Sequence, residues 1–149
     1  MPETLMIRER PPRSPTVALL EADGLPVSDL TDAHLEHFFF TGADGSPTAL
    51  AGLEIYGIDA LLRSLVVSAN ARTKGTGSAL VLHAEEYAAS RRVRAIYLLT
   101  TTAESFFERM GYGRVDRAEA PPSIRSTREF AGLCPASSAF MVKRLQQDR

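Results

Sequence analysis

The chain has 149 residues, 17 of them Lys or Arg and 18 Asp or Glu, for a formal net charge of −1 at pH 7 with histidine neutral. That length suits one domain with one core. A balance so near neutral argues against nucleic acid or an anionic membrane surface as the main partner, so any anion site has to be local.

The sole cysteine, Cys134, rules out an intrachain disulfide and fits a reducing, cytoplasmic setting. His34, His37 and His83 do not make a known ligand spacing, and no metal is expected. No apolar run reaches the roughly 18 residues that a membrane-crossing helix needs. MPETLMIRERPPRSP carries charges and prolines where a signal peptide would be apolar. Residues 1–14 read as a tail or irregular lead-in.

TVALLEADGLP reads as a first strand closed by Gly24 and Pro26. Ser28 is a candidate N-cap, with Thr31 its rival, for a helix that sets Leu30, Ala33, Leu35 and Phe38 at helical spacing. Two strands follow around an Asp44-Gly45 turn, and Gly57-Ile58-Asp59 makes another turn. ALLRSLVVS, residues 60–68, is apolar on both faces apart from Arg63 and Ser64, which marks a central, covered strand. After the loop ANARTKG, TGSALVLHAEEYAASRR reads as a helix burying Leu80, Ala84, Tyr87 and Ala88. RAIYLLTTT is a second buried strand, and AESFFERMG a short helix ended by Gly111. YGRVD starts another strand. A long irregular stretch with one helical turn over residues 124–130 leads to a closing strand, SAFMVKRL. Strands come first and then alternate with helices, so residues 15–149 read as one mixed α+β or α/β domain.

The stretch with the most chemistry is RTKGTG, residues 72–77, between the covered strand and the long helix. The first amides of a helix lack partners within it, and the helix dipole favours negative charge there. Gly75 and Gly77 let backbone approach a ligand. Thr76 and Ser78 add hydroxyl donors, while Arg72 and Lys74 add charge-assisted bonds of about 1.5–3 kcal/mol each. Such a set suits a pyrophosphate better than a lone carboxylate. Lys74 precedes the glycines, which is the wrong order for a P-loop, and two glycines do not make a dinucleotide fingerprint.

L-x-V-x-x-x-x-R-x-x-G-x-G is met by Leu65, Val67, Arg72, Gly75 and Gly77. It resembles the acyl-CoA motif of the GNAT acetyltransferase superfamily. A-x-x-F-F-x-x-x-G-Y, from Ala103, Phe106, Phe107, Gly111 and Tyr112, is similar to a second segment of that superfamily, and it follows in the expected order. GLEIYG, ALLRSLVV, YLLTTTAESFFERMGY and APPSIRSTREFAGLCPASS look like the branch associated with arsenic-resistance gene clusters.

The resemblance implies a mixed, mostly antiparallel central sheet flanked by helices. In it a splayed strand pair, residues 60–68 and 94–100, holds acetyl-CoA. It further implies direct acetyl transfer to the amine of a small, anionic, amino-acid-like acceptor, with no metal. The pantetheine arm would pair with backbone at Leu65, Val66 and Val67, and an amide near Val67 would stabilise the oxyanion. The pyrophosphate would sit on Arg72, Thr73, Lys74, Gly75, Thr76, Gly77 and Ser78, with Thr100 and Phe106 also against the cofactor.

An aliphatic amine has a pKa near 10, so a base must take its proton. Glu54, in an otherwise apolar run, is the candidate. Phe107 stands where the superfamily usually has its tyrosine acid. Tyr97, Tyr112 and water remain as proton sources, but Tyr56 is preferred as the acid because it shares a strand face with Glu54. A buried Arg63 must meet an anion, either an acid such as Glu54 or an anionic group of the substrate. Ser64 and Arg128 are the other substrate-binding candidates. Cys134 reads as a small packing residue. Phe107 also keeps open a non-catalytic acetyl-CoA sensor, and SAFMVKRL is a candidate dimer strand.

Overall fold

The computed structural model describes residues 6–72 and 75–145. In chain order the elements are β1 (Arg8–Glu9), α1 (Arg13–Ala22), α2 (Asp32–Leu35), β2 (Phe38–Ala43), β3 (Ser46–Tyr56), β4 (Asp59–Val67), α3 (Thr76–Ser90), β5 (Ala95–Thr100), α4 (Glu104–Arg109), β6 (Gly113–Arg114), α5 (Pro122–Arg125) and β7 (Ala139–Arg144). The strands form a seven-stranded sheet in the order β1-β2-β3-β4-β5-β7-β6. β4 and β5 are parallel, and the pairs β1–β2, β2–β3, β5–β7 and β6–β7 are antiparallel. The mixed, mostly antiparallel sheet expected from the sequence is the one found. No helix among the described residues is long and apolar enough to cross a membrane.

The chain divides into two compact units. One takes in the chain up to Leu53 together with Ser64–Ala84; the other takes in Glu54–Arg63 and the chain from Glu85 onward. In the first, Leu20, Leu30, Leu35, Phe38, Phe40, Leu50 and Val66 form the core. The first strand expected over TVALLEADGLP is instead helix α1, which buries Thr16 and Leu20 one turn apart. Pro15 falls in its first turn, where a missing N–H costs nothing. Gly24, at φ +73, closes its far end, with the amide of Leu25 donating to the carbonyl of Leu20. The lead-in expected over residues 1–14 is also cut short. Arg8 and Glu9 pair with Phe40 and Phe39, and residues 1–5 lie outside the described residues. Thr31, not Ser28, caps α2: its hydroxyl accepts from the amide of His34, and its own amide donates to His34 Nδ1.

In the second unit, Leu61, Ala95, Tyr97, Ala120, Ile124 and Phe140 form the core. β4 pairs with β5 from Asp59↔Ala95 to Leu61↔Tyr97, while β5 pairs with β7 along its whole length, to Thr100↔Ala139. The helical turn expected over residues 124–130 is two pieces, α5 and a π-helical turn at Glu129–Leu133. Gly111, at φ +99, ends α4 as expected. Tyr112 then donates its hydroxyl to Glu85 Oε2 at 3.0 Å. Lys143 Nζ reaches Glu85 Oε1 and the carbonyl of Met110, each at 2.9 Å.

β2 and β3 are registered with Phe38 opposite Gly52. A Cβ on Gly52 would lie 2.2 Å from Cε1 of Phe38, whose side chain is fully buried and has nowhere to retreat. Gly52→Ala is therefore expected to lower stability by about 1–3 kcal/mol, the usual cost of overpacking. Gly45→Ala, with open space at its Cβ, should stay within about 0.5 kcal/mol of the parent. Urea midpoints at constant slope measure both.

Candidate active site

The centre of the site is a fully buried guanidinium. Arg63 lies in the middle of β4, and its side chain has 0% exposure. Nη1 donates to Glu54 Oε2 at 2.7 Å, and Nη2 meets Glu129 Oε2 at 3.1 Å. On the near side, Tyr56 donates its hydroxyl to Glu54 Oε1. On the far side, the thiol of Cys134 lies 3.8 Å from Glu129 Oε1. Phenol, carboxylate, guanidinium, carboxylate and thiol thus run in series. Both carboxylates are about 95% buried, Cys134 is half-buried, and Tyr56, at 38% exposure, is the most open to solvent.

Sequence reasoning brings Glu54 and Tyr56 together on β3, and the structure joins them by a hydrogen bond. Of the two kinds of partner open to Arg63, the structure shows acids of the chain itself: its fork bridges the carboxylates of Glu54 and Glu129. A guanidinium taken out of water needs compensating charge close by, and here the chain supplies it. Nothing in the sequence singles out Glu129, an acid beside Phe130 in an irregular stretch, as the second partner of Arg63. Arg128, next to it, is exposed.

Of the other tyrosines, Tyr97 is buried and stacked on Phe140 at 5.5 Å. Burial, and after it the charge of Asp59, pushes its phenol up. Tyr112 is buried too, and burial followed by Glu85 holds its phenol protonated well above the ordinary range. Phe107 packs between Phe106 and Tyr112, edge to face with each. The thiol of Cys134 is pushed up to about 12, first by burial and then by Glu129.

β4 carries the remaining candidates. Ser64 is buried and adopts φ +61, a left-handed residue inside a strand. It stands three residues beyond Leu61, the last residue of β4 in the ladder with β5. Val66 enters a core, and Leu65 and Val67 are half-buried.

Beyond the strand, Arg72 is exposed and folds back. Its Nε donates to the carbonyl of Val67 at 3.0 Å, and Nη2 pairs with Asp23 at 3.3 Å. Thr73 and Lys74 lie outside the described residues. Gly75 is left-handed at φ +77 with open space where a Cβ would be, and α3 starts at the next residue, Thr76. Thr76 is buried, and Gly77 and Ser78 are half-buried. A left-handed glycine thus feeds a fifteen-residue helix, whose first amides lack partners within the helix. Thr100 accepts from the amide of Ala103 at 3.0 Å, which ties the end of β5 to the start of α4. Phe106 is half-buried in that helix.

Comparison with known proteins agrees with this architecture. An uncharacterised N-acetyltransferase of Chlorobaculum tepidum is 32% identical over 92 residues, 61% of this chain and 59% of that protein. The chain therefore spans under two thirds of that relative's length. N-acetylglutamate synthase from Neisseria gonorrhoeae, solved with coenzyme A and N-acetyl-glutamate, superposes with a TM-score of 0.82 at 22% identity, over 99% of this chain and 36% of the synthase. A Mycobacterium tuberculosis protein solved with CoA gives a TM-score of 0.74 at 17% identity, over 95% of this chain and 99% of its own. Residues 5–112 match the model of the acetyltransferase (GNAT) family. Taking in most of the chain and both sequence motifs, that match shows that the protein belongs to the acetyltransferase (GNAT) family.

Proposed function

We propose that the protein is an N-acetyltransferase that moves an acetyl group from acetyl-CoA to the amine of a small, anionic, amino-acid-like acceptor. The observation that carries this reading is the Glu54–Tyr56 pair. A buried carboxylate anchored by Arg63 receives the hydroxyl of the one partly exposed phenol in the series. Glu54 takes the proton released as the amine nitrogen bonds to the thioester carbonyl carbon and the carbon–sulfur bond breaks. Tyr56 gives its proton to the departing sulfur and recovers one from Glu54, so amine and thioester become amide and thiol with the relay restored. The backbone of Leu65, Val66 and Val67 receives the pantetheine arm, with an amide near Val67 facing the developing oxyanion. Arg72, Thr73, Lys74, Gly75, Thr76, Gly77 and Ser78 hold the diphosphate, and Thr100 and Phe106 line the cofactor's path.

Arg128 is the proposed partner for the acceptor's anionic group, with Ser64 as polar lining. The N-acetyl-glutamate bound to the Neisseria synthase supports an amino-acid acceptor. The likeness of APPSIRSTREFAGLCPASS to the arsenic-linked branch extends the proposal to amino acids that carry an arsenic or phosphorus oxyacid.

The test is thiol release from acetyl-CoA with a panel of amino acids bearing carboxylate, phosphinate or arsonate groups. Turnover is expected with at least one anionic acceptor. Tight acetyl-CoA binding without turnover on any amine would favour a non-catalytic sensor. Glu54→Gln is expected to lower kcat about 100-fold or more, the usual share of a general base, with the KM for acetyl-CoA unchanged. Arg128→Ala removes a charge-assisted bond and should raise the KM for an anionic acceptor about tenfold. Its KM for acetyl-CoA should not move, and equal changes in both would remove Arg128 from the acceptor site.

A further inference from the structure

Glu129 is a buried carboxylate that the transfer steps leave unused. It is 4% exposed, although it comes from an irregular stretch rather than a strand or regular helix. The turn that carries it is tightly built. The amide of Ala131 donates to the carbonyl of Thr127 at 2.9 Å, and that of Cys134 to the carbonyl of Glu129 at 3.1 Å. The buried hydroxyl of Thr127 donates to the carbonyl of Ile124 at 2.7 Å and accepts from the amide of Phe130 at 3.3 Å. Phe130 lies edge to face on Phe140 of β7, with 5.2 Å between ring centres. All of this presents one carboxylate to one nitrogen of Arg63, whose other terminal nitrogen holds Glu54.

A guanidinium is planar and rigid, so two carboxylates on its two ends are fixed relative to each other. With Glu129 in place, Glu54 accepts from Nη1 of Arg63 on Oε2 and from the Tyr56 hydroxyl on Oε1. Without the charge at 129, both nitrogens can close on Glu54 in the bidentate arrangement that arginine and carboxylate favour. Oε1 then leaves Tyr56. We infer that Glu129 is a positioning residue for the transfer reaction, acting through Arg63 to keep Glu54 turned toward Tyr56. The inference rests on the proposed role of Glu54 as the base.

The experiment reads kcat for Glu129→Gln in the parent and in the Glu54→Gln background, with folding checked by circular dichroism. The expected result is about a tenfold loss of kcat in the parent, less than a twofold loss in the Glu54→Gln background, and an unchanged KM for acetyl-CoA. A purely structural role would lower both backgrounds by the same factor, and that result overturns the inference. So does an unaltered kcat in Glu129→Gln when Glu54→Gln itself is slow, an outcome that leaves the proposed function standing. If Glu54→Gln runs at the parent rate, the base assignment falls and the positioning role with it. Should Glu129→Gln fail to fold, Glu129→Asp keeps the charge but draws it back by one methylene. It is read in the same two backgrounds by the same criterion.

Discussion

A positive charge without exposed surface governs the unit formed by residues 54–63 and 85–145. Stripping water from a guanidinium costs several kcal/mol unless acids come within hydrogen-bond reach. Arg63 draws one from the neighbouring strand and one from a turn 66 positions further along the chain. The demand gives a reason for the hydrogen bonds that an irregular segment carries here. The path from α5 to Cys134 has to place Glu129 without a helix or strand to fix its pitch.

The second family motif has a physical reading that does not involve the cofactor. Gly111 takes the left-handed angle that ends α4, and a Cβ there would press on the Lys143 side chain at 3.2 Å. Tyr112 then plants its hydroxyl on Glu85, which Lys143 also holds. Helix α4, helix α3 and strand β7 are thereby tied at one buried carboxylate. With Phe107 packed against Tyr112, the aromatic run of this motif is a clamp between elements. That is why the position usually filled by a tyrosine acid can be a phenylalanine without loss of packing.

What the sequence discloses follows from how locally each feature is determined. The hairpin at Asp44-Gly45, the covered strand around Arg63, the buried stripe of α3 and the glycine turn before it all depend on neighbours within a few residues, and they are where the pattern puts them. Helix α1 is not legible in the same way. Its proline and glycine serve a helix's ends as readily as a strand's, and TVALLEA lacks the alternation that would separate the two. Among the site residues, Glu54 and Tyr56 are legible because a strand puts every second side chain on one face. Glu129 is not, since no periodicity marks burial in a turn and its partner is distant in sequence. The same distance hides the fate of Arg63, whose need for an anion is visible while the identity of the second one is not.

Burial, and after it the acid that steadies Arg63, silences the protein's sole sulfhydryl. With its ionisation displaced to about 12, Cys134 at pH 8 is a thiolate in only roughly one molecule in ten thousand, and thiolates are what alkylating reagents attack. A cysteine engineered onto an exposed face can therefore carry a fluorophore or spin label beside the native residue. Motions of the protein become open to spectroscopy without first removing Cys134.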